Sequence, residues 1–291
     1  MPAHAERLIV TSHYNWLANE LASACPIPVR ADHGLDIPYY PNETLAWWCT
    51  VDHGTRLHVA GWPFDACSPG PTWQNMIPND ALQRHITTTP LHTLPTIPDH
   101  RPVFTKLAEY KHHKLPASTY QSVTHFYDTA TTAGIHPNTP IQLCWRIIDY
   151  TTEFRAIITG RQLASISSYP TGATADPVLT ADAASFAADV TSRIVDQPRA
   201  WVLDVGIDTD KQWTVVEANP VFSANPYTND PGAVVAALLA ATTTPPPQQF
   251  HSSRHPSQWR WVPDPTAWAR AQRQPRLRAT PVPTTERRRQ L

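Results

Sequence analysis

Glycine is scarce in this chain, nine of 291 residues, and it nowhere forms a cluster. A phosphate-cradling G-x-x-x-x-G-K-[ST] loop and a dinucleotide-binding G-x-G-x-x-G turn both need clustered glycines, so neither common nucleotide-binding fold is expected. Cysteine is rarer still. The four present, Cys25, Cys49, Cys67 and Cys144, stand far apart and include no C-x-x-C pair. That leaves neither a disulfide framework nor a zinc signature, and they read as small core residues. No run approaches the roughly 18 consecutive apolar residues of a membrane span, and the opening MPAHAERLIV carries no apolar stretch of signal-peptide length. A cytoplasmic protein is expected. Net charge is almost absent as well, at -1, which argues against a strongly electrostatic partner for the chain as a whole.

What is present describes a soluble globular protein, 41% hydrophobic and 16% charged, long enough for two lobes. Proline is abundant, with 31 residues. Charge is unevenly distributed: from His251 to Leu291 nine arginines face Asp264 and Glu286, a balance of +7 that leaves -8 on the rest. This Pro/Arg-rich tail, residues 243–291, reads as partly disordered, with Trp259, Trp261 and Trp268 able to dock its first half.

Along the chain, residues 1–100 form a small α/β lobe: a strand at Leu8–Thr11, a helix at Asn15–Cys25 and a strand at Leu57–Trp62. A proline-punctuated loop follows, with a helical patch near Asn79–His85. Strands are then predicted at Val103–Lys106, Ser118–Val123 and Ile141–Tyr150, and a hairpin at Glu153–Thr159 and Leu163–Tyr169 around Gly160-Arg161. Thr180 would cap a helix over Asp182–Val195. A second hairpin, Ala200–Asp208 with Gln212–Pro220, and a helix at Gly232–Ala241 complete the series. The order is α+β with antiparallel sheets, not a doubly wound parallel sheet.

The second hairpin, WVLDVGIDTDKQWTVVEANP, carries the most chemistry. A four-residue loop at Thr209–Gln212 pairs Asp208 with Trp213 and puts Asp204 opposite Glu217, with Cβ atoms about 4.5–5.5 Å apart. Alternation sets Val215, Glu217 and Asn219 on one face and Val202, Asp204 and Gly206 on the other strand's matching face. Two facing carboxylates repel unless a cation lies between them. Mg²⁺ takes such oxygen ligands, and Asn219 adds a neutral one. A solvated strand face is the alternative, though valines and glycine are unusual neighbours for one.

Lysine is the second signal. Only four lysines stand beside nineteen arginines, and Lys106, Lys111 and Lys114 fall within nine residues. A lysine kept in so arginine-biased a chain suggests a site wanting a compact ammonium, for which phosphate is the natural counter-charge. A solvated loop is the other reading, favoured for Lys114. The adjacent pair His112-His113 reads as loop. Glu153-Phe154-Arg155 places Glu153 and Arg155 on one strand face, where a surface salt pair would give the same letters.

Taken together, the strand-Lys, the Lys-bearing loop, the long hinge strand, E-x-R, and D followed by V-x-E-x-N-P at Val215–Pro220 resemble the core of the ATP-grasp superfamily, over about residues 95–242. Upstream, GWPFDACSPGPTWQNMIPNDALQRHI and the P-V-F-x-K-x-A-x-x-K pattern at Pro102–Lys111 resemble a bacterial clade of ATP-grasp domain-containing proteins with unassigned substrate. The resemblance implies an ATP-grasp domain over residues 101–242, with an ATP cleft between its subdomains, after a pre-ATP-grasp lobe at 1–100. It implies Lys106 on the α-phosphate, Lys111 on the β-phosphate or lid, and Arg155 at the transferred phosphoryl group. Asp204, Glu217 and Asn219 would hold Mg²⁺, and Leu143, Cys144, Trp145, Arg146 and Ile147 would flank adenine. The implied activity is an ATP- and Mg²⁺-dependent ligase that activates a small-molecule or peptide carboxylate as an acyl phosphate for an amine. Two other functions fit the letters: a non-catalytic nucleotide-binding module, and an interaction protein using its basic tail on nucleic acid or an acidic protein.

Overall fold

Three short parallel strands found the first lobe. The structure, a computed structural model, describes residues 5–12, 15–32, 36–40, 42–98, 101–169, 176–245, 255, 257–274 and 278–281. In chain order come β1 (Arg7–Val10), α1 (Asn15–Ala24), β2 (Val29–Ala31), β3 (Asp36–Tyr39) and β4 (Leu45–Trp48). β1 lies between β2 and β4, parallel to both. Its Leu8, Ile9 and Val10 are wholly buried, as a parallel strand covered on both faces requires. α1 agrees with the predicted helix and buries Leu17, Ala18 and Leu21.

The strand expected at Leu57–Trp62 is instead the end of a helix, α2 (Val51–Val59). Thr50 caps it, its hydroxyl accepting the His53 N–H at 3.2 Å, and Asp52 sits in the first turn. Cap and acidic first turn favour the helix, and Leu57 is buried from it. The expected loop over 63–102 holds more order than its prolines suggest: β5 (Asp65–Ala66), a 3₁₀ turn at Trp73–Met76, α3 (Asn79–Leu82), β6 (Thr87–Pro90) and a second 3₁₀ turn at Leu91–Thr96.

Next come β7 (Val103–Leu107), β8 (Ser118–Tyr120), α4 (Val123–Thr132) and β9 (Pro140–Cys144), which build an antiparallel sheet in the order β6-β9-β7-β8. Two expectations are corrected here. The strand predicted to reach Val123 stops at Tyr120, because Ser122 caps α4 by accepting the His125 N–H at 3.0 Å. The long hinge strand stops at Cys144, whose thiol bonds the Arg146 carbonyl at 3.1 Å as the chain leaves the sheet.

The second four-stranded sheet comprises β10 (Tyr150–Thr159), β11 (Gln162–Tyr169), β12 (Ala200–Asp208) and β13 (Trp213–Asn219), with α5 (Pro177–Arg193) between β11 and β12 in sequence. Its order is β11-β10-β12-β13, antiparallel throughout. Gly160 and Arg161, at φ +57° and +70°, supply the double left-handed turn a two-residue hairpin needs. α5 begins five residues before the predicted Asp182, since Asp176 rather than Thr180 caps it and Pro177 opens it. Phe154, Ala156, Ile158, Leu203 and Val205 share a core with Ala183, Ala187 and Val190 of α5. Ile157, Ala200 and Val202 join a separate core with α6 (Pro231–Ala241) and the first lobe.

The described part of the C-terminal region is docked. β14 (Thr242–Thr243) pairs with β5, α7 (Pro265–Gln272) packs on α2, and β15 (Arg278–Pro281) runs parallel to β3. Trp261 is 2% exposed. The disorder expected for the last residues falls mostly outside the described residues. Among the described residues no helix is long and apolar enough to cross a membrane.

One half-buried carboxylate links the parts. Glu109, just past β7, accepts the Ser68 hydroxyl at 2.7 Å. Burial, with the charge of Asp264 adding to it, pushes its pKa up to about 7. Between about pH 4.3, where a free glutamate ionises, and 7, the folded state holds a proton that the unfolded chain has lost, so stability falls as pH rises through that window. Glu109→Gln should flatten this decline, read as a smaller difference in urea midpoint between pH 5 and pH 7.5.

Candidate active site

The register of β12 and β13 sets the site, by a route the alternation rule misses. Ile207, not Asp208, pairs with Trp213, so the loop is one residue longer than predicted. Asp208 closes it, its Oδ1 accepting the N–H groups of Asp210 and Gln212 at 2.9 and 2.8 Å. Val205 pairs with Val215, but Asp204 pairs with Glu217, because the ladder shifts between them. Val216 is the surplus residue of a β-bulge. Val215 therefore packs in the α5 core, correcting its predicted place beside Glu217. Glu217 and Asn219 face the opposite way with Asp204.

Four charged side chains meet on this face. Arg155, on the neighbouring strand opposite Asp204, forks its carboxylate, Nε to Oδ1 at 2.8 Å and Nη2 to Oδ2 at 2.6 Å. Their side chains are only 6% and 9% exposed. Lys106 reaches from β7 in the other sheet to donate to Glu217 Oε2. Asn219 donates to Glu217 Oε1 at 2.8 Å and lies 3.5 Å from Asp204 Oδ2. Arg155 also stands 4.0 Å from Glu217. Burial alone would raise the Glu217 pKa, yet Lys106 and then Lys111 hold it well below the carboxylate range. Burial likewise opposes the charge on Arg155, but Asp204 raises its pKa all the same. Burial raises the Asp204 pKa, and the Arg155 guanidinium forked onto its carboxyl opposes that rise.

Arg155 is held from behind. Its Nη1 donates to the Asn225 carbonyl at 2.9 Å, and its guanidinium lies 4.8 Å from the Tyr227 ring and 5.7 Å from that of Tyr169. Glu153 shares the strand face two residues away. Burial, then the charges of Asp204 and Glu217, push its pKa up to about 7.

A cavity of about 140 Å³ opens between the two sheets beside this cluster. Phe104 and Lys106 line it from β7, Leu143 and Cys144 from β9, Arg146, Ile147 and Ile148 from the hinge, and Val216 and Glu217 from β13. Arg84 closes one side, donating to the Tyr150 hydroxyl at 2.9 Å and the Val216 carbonyl at 2.8 Å. The Tyr150 ring lies over Gly206, where a Cβ would come within 2.4 Å of it. Any larger residue at 206 would expel the ring.

The structure thus brings together Lys106, Arg155, Asp204, Glu217 and Asn219, and aligns Leu143, Cys144, Arg146 and Ile147 along the adjoining cavity. Trp145 stands apart, packed against the core around β7, β9 and α4. Lys111 is exposed and acts on Glu217 through its charge. Arg84, Tyr150, Tyr169 and Tyr227 join the site with no motif in the sequence to mark them. Asp204, Glu217 and Asn219 offer two carboxylates and an amide oxygen, a hard-oxygen set that suits Mg²⁺ completed by phosphate and water. Among the described residues no group of three or more His, Cys, Asp or Glu forms a metal cluster.

Residues 82–237, just over half of the chain, match the family described as ATP-grasp domain, R-2-K clade family 2. Among solved structures the chain is similar to a RimK domain ATP-grasp protein from Sphaerobacter thermophilus DSM 20745, at 13% identity over 80% of this chain and 99% of that one, TM-score 0.45. It is similar to the D-alanine-D-alanine ligase of Coxiella burnetii, at 11% identity over 67% of each chain, TM-score 0.42. A third is C-terminally truncated Cdc123 from Schizosaccharomyces pombe, at 12% identity over 53% of this chain and 83% of that one, TM-score 0.36. No curated protein matches significantly.

Proposed function

We propose, given that the chain belongs to this clade family of ATP-grasp domains, that it is an ATP- and Mg²⁺-dependent ligase. Its substrate would be a small-molecule or peptide carboxylate, activated as an acyl phosphate and then opened by an amine. The observation that carries this reading is the charged cluster spanning two sheets, with Lys106 from one and Arg155, Asp204, Glu217 and Asn219 from the other. Phosphoryl transfer asks for positioning and charge neutralisation more than for a covalent nucleophile, and this cluster supplies both.

The chain's own residues divide the work. Lys106 and Lys111 offer ammonium groups to phosphate oxygens, and Arg155 offers a planar fork to the group in transfer. Asp204, Glu217 and Asn219 would hold Mg²⁺, which when bound neutralises phosphate charge and orients the oxygens. The apolar walls, Phe104, Leu143, Ile148 and Val216, suit a flat nucleobase. Tyr169 and Tyr227 keep the Arg155 guanidinium from turning away.

The test is phosphate release from ATP and Mg²⁺, screened across amino acids and short peptides. Glu217→Gln keeps the shape and removes the charge, and should lower release roughly 10²–10³-fold. A wild-type protein that binds no ATP in a calorimeter would end the proposal. A second reading, nucleotide binding without turnover, draws on the hinge, where Arg146, Ile147 and Ile148 line the cavity and, among the described residues, Glu217 is its only acidic lining residue. Tight ATP binding with no release from any acceptor would favour it.

A further inference from the structure

Lys106 stands in β7, and Lys111 stands in the loop that leads from β7 to β8. Between the two lysines, two neighbouring side chains anchor that loop. Glu109 accepts the Ser68 hydroxyl at 2.7 Å, and the Tyr110 hydroxyl accepts a hydrogen bond from Arg270 Nη1 at 2.9 Å. The Tyr110 ring is buried. Both anchors lead to the C-terminal segment. Arg270 belongs to α7, with Asp52 of α2 3.8 Å from its guanidinium. Ser68 is set in place by the same segment, its backbone N–H donating to the Trp259 carbonyl at 2.9 Å.

The helix that carries Arg270 is itself held on the sheet that carries Lys106. Asp264 caps it by accepting the Thr266 and Ala267 N–H groups at 2.7 and 3.3 Å. Thr266 Oγ1 accepts the His136 N–H at 2.8 Å and lies 2.6 Å from the Thr139 hydroxyl, just ahead of β9. Ala267 is buried in the core that also holds Tyr110 and Leu115. Residues 257–272 therefore cross from the first lobe to the lysine loop. None of these described residues lines the cavity, and all lie beyond 82–237, the part of the chain that matches the family. Fixing a loop costs conformational entropy for every residue ordered. A loop already held before the ligand arrives does not lose that entropy on binding.

We propose that residues 257–272 strap the lysine loop into the position from which Lys111 meets phosphate, and that Arg270, acting through Tyr110, is a positioning residue for nucleotide binding. This rests on the nucleotide-binding reading above and places a determinant of affinity outside the cleft, in a segment that touches neither nucleotide nor metal ligands.

The experiment measures adenylyl imidodiphosphate binding to the full chain by calorimetry with Mg²⁺ present, and amide hydrogen exchange across residues 110–115 without nucleotide. Arg270→Ala should weaken nucleotide binding roughly three- to tenfold, the range of one lost hydrogen bond. Exchange should quicken at the Leu115 N–H, which bonds the His112 carbonyl at 3.0 Å. Tyr110→Phe keeps the buried ring and loses only the hydroxyl, and should weaken binding to a similar degree. The double variant should be little worse than either single one, because both remove the same bond. Arg270→Lys can still donate to the Tyr110 hydroxyl and should recover most of the affinity, which a general loss of stability would not predict. Wild-type affinity in both single variants, or losses that simply add in the double one, overturns the proposal. If Arg270→Ala does not fold, Tyr110→Phe and Arg270→Lys decide. Should the wild type bind no nucleotide, the ligase reading falls, and the exchange comparison alone still decides whether Arg270 holds the loop.

Discussion

Asp204→Ala should destabilise the protein by about 3–5 kcal/mol, the cost of stranding one member of a buried ion pair. The stranded group is Arg155, whose side chain is 6% exposed and whose Nε and Nη2 both bond this one carboxylate. Nη1 keeps the Asn225 carbonyl and the tyrosine rings keep their contact, but neither carries a full negative charge, and Glu217, 4.0 Å away, already pairs with Lys106. Urea denaturation measures the loss. Adding Arg155→Met should restore most of it, because an apolar side chain of similar length needs no counter-charge. If the single variant stays within about 1 kcal/mol of wild type, the range of an exposed pair, the pair is solvated and the site is more open than described.

Trp261→Ala should cost a comparable amount, about 3–5 kcal/mol for a large aromatic removed from a packed core. The indole lies among the rings of Phe64, Phe222 and His58, with centroids 5.7, 5.1 and 5.5 Å away. Gly54 makes room for it: a Cβ there would come within 3.2 Å of the indole. The Trp261 backbone N–H also bonds the Ala66 carbonyl at 2.8 Å. Truncation ahead of residue 257 should therefore destabilise at least as much as the point substitution, as the drop in thermal midpoint would report. A truncated chain as stable as the whole would mean that the C-terminal segment lies on the fold without supporting it.

Legibility in the sequence follows the range of the interactions involved. The two hairpins can be read because each is fixed by a few neighbouring residues, a Gly-Arg turn in one and β-branched runs in both. Helix α2 reads as a strand because LHVAGW alternates, while the deciding contact lies at Thr50, ahead of the apolar run. Helix α4 escapes because threonine and histidine hide its buried residues Val123, Phe126 and Ala130. The pairing of Asp204 with Glu217 is expected and found, although two departures from regular geometry, a longer loop and a bulge, offset one another to produce it. Lys106 stands out by its rarity, but its bond to Glu217 joins residues 111 positions apart, and no local pattern carries that. The tyrosines over Arg155 are invisible for the same reason.

The surplus residue in β13 has one more effect. A pleated strand sends neighbouring side chains to opposite sides, so a regular β13 could show the cleft either Val216 or Glu217. The irregularity lets both line it, an oily surface and a charge from adjacent positions. Deleting Val216 would straighten the strand and leave Glu217 pointing where it does now. The pocket would keep its acid and lose part of its grease, which makes the length of this strand, as much as its letters, a determinant of what the cleft can hold.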